Sequence, residues 1–240
     1  MSFEWPPWLD HWNMLINYVG SFGIIVPTVM GRRRWDRLSS PMRAVWWYCL
    51  FWSLEAPVNL FCRKVLHNNR PMYHIDVLAE TLLLAWAYYL ALGAQHPRRW
   101  LLGGAAFTAI AVADATVLSG IWEMNVYAHT AETILLVVLI MFYFERWVHM
   151  PERRIGLREG MFYVSSGQMI YLTGSITGYV LMPMATSRDL QVPLGAVIDL
   201  LFLVCLGLLI EAFRVEGKRA SAGPAQMVGQ TLSREVSLNR

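Results

Sequence analysis

The sequence predicts an all-α, polytopic membrane protein built as a bundle of seven transmembrane helices. Three observations predict it. Charged residues make up 15% of the chain and hydrophobic ones 56%, whereas an ordinary soluble domain carries roughly 25% charged residues. The apolar residues arrive in blocks of about 20, the length a helix needs to cross a bilayer. These blocks lack period-2 alternation, so they are helices rather than barrel strands.

Taken in order, the blocks fall at residues 12–30, 43–63, 72–94, 99–121, 125–146, 160–182 and 194–213. A segment of residues 1–11 precedes them and a polar, Gly/Ala/Ser-rich tail of residues 215–240 follows, too short to fold alone. The seven-helix domain is thus residues 12–214. Trp12, Trp35, Trp46, Trp47, Trp100, Trp122 and Trp147 sit near block ends, where an amphipathic indole favours the headgroup layer. Pro27, Pro57 and Pro183 are positioned to kink or end helices. In the sixth block, which contains Ser165, Ser166, Gly167 and Gln168, Gly174 and Gly178 form a GxxxG face that admits a neighbouring helix closely.

The 20 cations sit almost entirely between the blocks. Sixteen fall on the side of loops one, three and five and the tail, and four on the other. The positive-inside rule then places the N-terminus outside and the C-terminus in the cytoplasm. Met1–Trp12 has no basic n-region, so the first span is expected to direct insertion itself. The expected location is the cytoplasmic (inner) membrane of a bacterium.

Several chemistries are disfavoured at this level. Neither Lys64 nor Lys218 lies in an apolar block, so no Schiff base to retinal is expected. Cys49, Cys62 and Cys205 are scattered singly and read as packing. The loops are too short for nucleic acid; Arg32–Arg34 and Arg153–Arg154 read as topogenic and lipid-attracting.

An ionisable side chain inside the membrane costs about 2.5–3.5 kcal/mol on insertion scales, which makes each a functional-site hypothesis. Glu55, Asp76, Glu80, Asp114, Glu132 and Asp199 are such residues, and Asn59, Tyr73, His74, Tyr127 and His129 share their layer. Spacings of three or four put Glu55 with Asn59, Asp76 with Glu80 and Tyr73, and His129 with Glu132 on common helix faces. Ala79–Leu84 and Ala131–Leu136 repeat one pattern 52 residues apart, on helices of one direction. These residues define an expected acidic cavity that opens outward over an apolar floor and binds a small ligand.

Spans three and five, with their Tyr/His/Glu layer, and the run FYVSSGQMIYLTGS in span six resemble small uncharacterised bacterial seven-helix membrane proteins. The resemblance implies the architecture and no residue's role. Three functions remain open: a receptor-like sensor that signals through a separate cytoplasmic or membrane partner, a cation- or proton-coupled transporter, and an intramembrane hydrolase. The last would use His74, His129 and Glu132, with Asp114, as zinc or iron ligands.

Overall fold

The computed structural model describes residues 7–149, 159–181 and 188–221. Residues 1–6, most of the polar tail, Arg153–Arg154 and Pro183 lie outside them. The described residues form helices joined by short turns and loops, with no strand among them. The elements are α1 (Pro7–Gly23), α2 (Ile25–Arg33), α3 (Ser40–Phe61), α4 (Arg70–Ala91), α5 (Pro97–Ala113), α6 (Val126–Val148), α7 (Gly160–Leu181) and α8 (Arg188–Ser221).

Stretches Met14–Arg33, Pro97–Leu118, Val126–Val148 and Gln191–Glu216 are long and apolar enough to cross a membrane. By length and composition they suggest a membrane protein. Helices α3, α4 and α7 are 22 residues each, about 33 Å at 1.5 Å per residue. They are equally long and more polar.

Where the helices differ from the expected blocks, the cause is local. The first block divides at Ile24, because Pro27 offers no N–H to Gly23, four residues earlier, and its ring presses on that carbonyl. The Thr28 hydroxyl covers the adjacent Ile24 carbonyl at 2.8 Å. Pro57, by contrast, is carried within α3. π-helical turns end α3 (Cys62–Leu66) and α5 (Asp114–Leu118). The last helix runs past the expected boundary at 214 to Ser221, continuing the core with buried Glu216.

The bundle closes in the order α1/α2, α3, α4, α6, α7, α8, with α8 returning to α1 and α5 on the flank of α4 and α6. Leu101 and Leu102 of α5 are 75% and 70% exposed, the apolar surface that a lipid-facing helix presents. Tyr48, Leu84, Leu136, Ile140, Leu172, Leu209 and Phe213 fill the centre. Helices α4 and α6 are parallel: Asn125 Nδ2 donates to the Tyr73 carbonyl at 2.6 Å near their starts, and Arg146 donates to the Leu92 carbonyl at their ends. The repeat is therefore visible as two like-directed neighbours, each with a Thr hydroxyl on the carbonyl one turn back: Thr81 on Val77 and Thr133 on His129.

The Gly174/Gly178 face packs on α8 as its spacing predicts. A Cβ at these positions would stand 2.7 Å from Leu201 Cδ1 and 2.8 Å from Ile198 Cδ1. Gly31 is tighter, since a methyl there would collide with Trp46 and lie 2.8 Å from Phe213 Cε1. Trp46 cannot retreat without breaking its Nε1 bond to the Thr28 carbonyl at 2.8 Å. Gly31→Ala is accordingly expected to destabilise by about 1–3 kcal/mol, the overpacking range. Thermal unfolding in detergent checks it, and a wild-type melting temperature would contradict the packing.

Candidate functional site

A cavity of about 540 Å³ enters the bundle from the end where α3 gives way to α4. That volume lies in the range of small-molecule pockets. Helix α3 contributes Trp52, Glu55 and Asn59; α4 contributes Tyr73, Asp76 and Glu80; α1 contributes Asn17, Tyr18 and Phe22; α8 contributes Ile198, Asp199 and Phe202. The start of α6 adds Asn125 and His129, and α7 adds Tyr171. Arg63 and Arg70 stand at the rim. At 1.5 Å per residue, Asp76 is about 9 Å and Glu80 about 15 Å below Arg70 along α4. The cavity thus runs from a basic, wet mouth to an acidic interior.

The mouth is tied by polar contacts. Arg70 meets Glu123 Oε2 at 2.8 Å and the Trp122 carbonyl at 3.0 Å. Asn69 donates to Asn59 Oδ1 at 2.9 Å and to the Tyr73 hydroxyl at 3.1 Å. On the opposite wall Arg63 donates to Asn17 Oδ1 at 3.4 Å, and the Asn17 amide donates to both oxygens of Asp199 at 3.4 and 3.5 Å. One relay thereby links α3, α1 and α8.

The floor is a buried polar junction of four helices. Tyr48 donates to Glu80 Oε1 at 3.3 Å and accepts from Gln168 Nε2 at 3.2 Å. Thr81 lies 2.9 Å from Glu132 Oε1, and His129 Nδ1 lies 2.8 Å from Glu132 Oε2. Helices α3, α4, α6 and α7 each send a polar group to this point. Below it the Tyr88 hydroxyl meets Ser165 Oγ at 3.2 Å.

Of the eleven residues expected in the site, Glu55, Asn59, Tyr73, Asp76, Glu80, His129 and Asp199 line the cavity. The other four do not. Glu132, 1% exposed, stands one layer behind His129. Buried His74 places Nε2 against the Glu123 carbonyl at 3.3 Å. Tyr127 is 58% exposed on the outer surface. Asp114 accepts the Ala128 N–H at 2.8 Å, capping the first turn of α6 from the end of α5.

A carboxylate at a helix N-terminus both satisfies an orphan donor and complements the dipole. Asp114→Ala is therefore expected to lower stability by about 1–2 kcal/mol with ligand binding retained. Paired melting and binding measurements check this, and loss of binding at unchanged stability would return Asp114 to the site.

The proposed zinc or iron set is not assembled. Among the described residues no group of three or more His, Cys, Asp and Glu side chains is placed to hold a metal ion. The physical reason is that His74 turns to the α5–α6 connection, away from the His129–Glu132 pair.

Asn17, Tyr48, Trp52 and Gln168 were not singled out as site residues from the sequence. A signal for two of them existed: Tyr48, Trp52, Glu55 and Asn59 are spaced by four, three and four, a single helix face.

No family profile, curated protein or solved structure matches the chain.

Proposed function

We propose that the chain is a seven-span protein of the bacterial inner membrane, N-terminus outside, whose outward-opening cavity binds a small molecule and signals through a separate cytoplasmic or membrane partner. The observation that carries this reading is the convergence of Glu55, Asp76, Glu80 and Asp199 from α3, α4 and α8 on one cavity. Such a ligand touches walls formed by helices far apart in the chain. Binding would therefore bias their relative positions, and only contacts that differ between two arrangements can shift an equilibrium.

A second reading, a cation- or proton-coupled transporter, is favoured by a different observation. Polar groups continue below the floor, from Tyr48 and Gln168 to Ser165 and Tyr88. The two readings separate in sealed vesicles, where a transporter accumulates the bound molecule and a sensor does not.

The test is native mass spectrometry of detergent-purified protein. Wild type is expected to retain a small molecule that is lost in Glu80→Gln and in Glu132→Gln, with both variants inserting and folding. Wild-type retention in both variants, at equal expression, contradicts the cavity reading.

A further inference from the structure

The inference rests on the small-molecule cavity proposed above and concerns what it takes. We infer that the ligand is a small organic cation carrying N–H donors, a protonated primary or secondary amine or a guanidinium, on an apolar or aromatic body.

Two buried carboxylate oxygens carry the argument. Glu55 and Asp76 are each 6% exposed and both line the cavity. Glu55 Oε1 and Asp76 Oδ1 have no hydrogen-bond partner. A buried acceptor without a donor is a costly arrangement that folded proteins avoid. The complement of two unfilled acceptors is a donor, and the complement of carboxylates is positive charge.

The remaining charges point the same way. Four carboxyl groups line the cavity, and its two arginines stand at the rim. Arg70 is held by Glu123, and Arg63 leans on Asn17. Both are exposed, where water and salt screen them. The wall amides are engaged with protein neighbours: Asn69 with Asn59 and Asn17 with Asp199. An anion would thus meet an interior dominated by carboxyl groups.

Bare metal ions fit poorly for a separate reason. They require several converging oxygen or nitrogen ligands, and no such group of three acidic, His or Cys side chains occurs among the described residues. The volume and the aromatic wall of Tyr18, Phe22, Trp52, Tyr73 and Phe202 instead suit an organic body. The N–H requirement distinguishes this ligand from a quaternary ammonium, which offers charge and no donor to Glu55 and Asp76.

The experiment uses the full chain in detergent and a panel of cadaverine, agmatine, phenethylamine and tryptamine. Each is compared with its neutral alcohol counterpart and its N-trimethylated form by saturable thermal shift, since a ligand of the native state raises the melting temperature. At least one amine is expected to bind, with its alcohol and trimethyl forms weaker by about tenfold or more. Glu55→Gln and Asp76→Asn are each expected to weaken that amine by a similar factor. Should a variant fail to fold, the amine-to-alcohol selectivity of wild type decides alone. No shift with any amine, equal binding of the alcohols or the trimethyl forms, or wild-type affinity in both folded variants overturns the inference. A neutral or anionic molecule retained in the native mass spectrum also overturns it, while leaving the small-molecule cavity standing.

Discussion

Replacing His129 and Glu132 together, as His129→Leu/Glu132→Met, is expected to leave thermal stability at or above wild type while abolishing amine binding. Glu132→Ala alone is expected to lose about 3–5 kcal/mol, the penalty for breaking a buried pair from one side. The contrast follows from what each change strands. Glu132 is 1% exposed, with Thr81 at one oxygen and His129 at the other. Thr81 has a second acceptor in the Val77 carbonyl at 2.7 Å, so it loses little. His129 Nδ1 loses its carboxylate partner. Removing both members instead deletes two polar groups that are expensive to bury, and apolar replacement of similar volume is often neutral or stabilising by about 1–4 kcal/mol. Interhelical hydrogen bonds in membranes average only about 0.6 kcal/mol, too little to offset an insertion cost of about 2.5–3.5 kcal/mol. On the proposed function the junction serves binding instead, which is why the double variant is expected to lose amine affinity and not stability. Thermal melting of the three proteins, followed by amine titration of the double variant, checks this. A double variant that melts well below Glu132→Ala would make the junction structural.

The helical character of the blocks was legible, and four of them are long and apolar enough to cross a membrane, because bilayer length and continuous apolarity are properties of each segment alone. Helix-face arguments also carried: Asp76 with Glu80 and Glu55 with Asn59 are found on the cavity wall as spaced. What was not legible depends on partners distant in the chain. Asp114 lies at the depth of the other acids, yet its partner is the N-terminus of α6, fixed only when the π-helical turn brings it there. His74 stands beside Asp76 in a matching pattern, but the α5–α6 connection supplies the Glu123 carbonyl that claims its ring. Tyr48 sits in an aromatic-rich stretch that reads as an interfacial belt. Its role depends on Gln168, 120 residues away. The break at Ile24 was anticipated by Pro27, whereas the similar Pro57 sits within an unbroken α3. A proline sets a local constraint, and tertiary packing decides its outcome.

Glu216 is the strongest case of a residue whose weight the sequence conceals, because it falls in what reads as the start of a polar tail. In the structure it is 4% exposed, at the end of the bundle opposite the cavity mouth. Its Oε1 accepts the N–H of Ser39, at the head of α3, and its Oε2 accepts the N–H of Gly160, the first residue of α7, both at 3.2 Å. Two helix N-termini, each bearing partial positive charge, therefore converge on one side chain of a third helix. Arg34 fastens the same end by donating to the carbonyls of Phe213 and Arg214 at 3.0 and 3.2 Å. Hydrogen bonds to charged groups contribute about 1.5–3 kcal/mol each, and here two depend on one residue. Glu216→Ala is expected to lower stability by about 3 kcal/mol or more on that scale. Glu216→Gln should recover only part of the loss, since its amide has one acceptor oxygen and turns donors toward the second N–H. Gly160→Ala should weaken the same clamp from the other side, because its methyl would lie 2.9 Å from Met42 Sδ and 3.2 Å from Glu216 Oε2. Amine affinity is expected to stay at wild type in all three variants below their melting temperatures. The ranking of melting temperatures, wild type above Gln above Ala, is the measurement, and an alanine variant as stable as wild type would show that α3 and α7 find other acceptors.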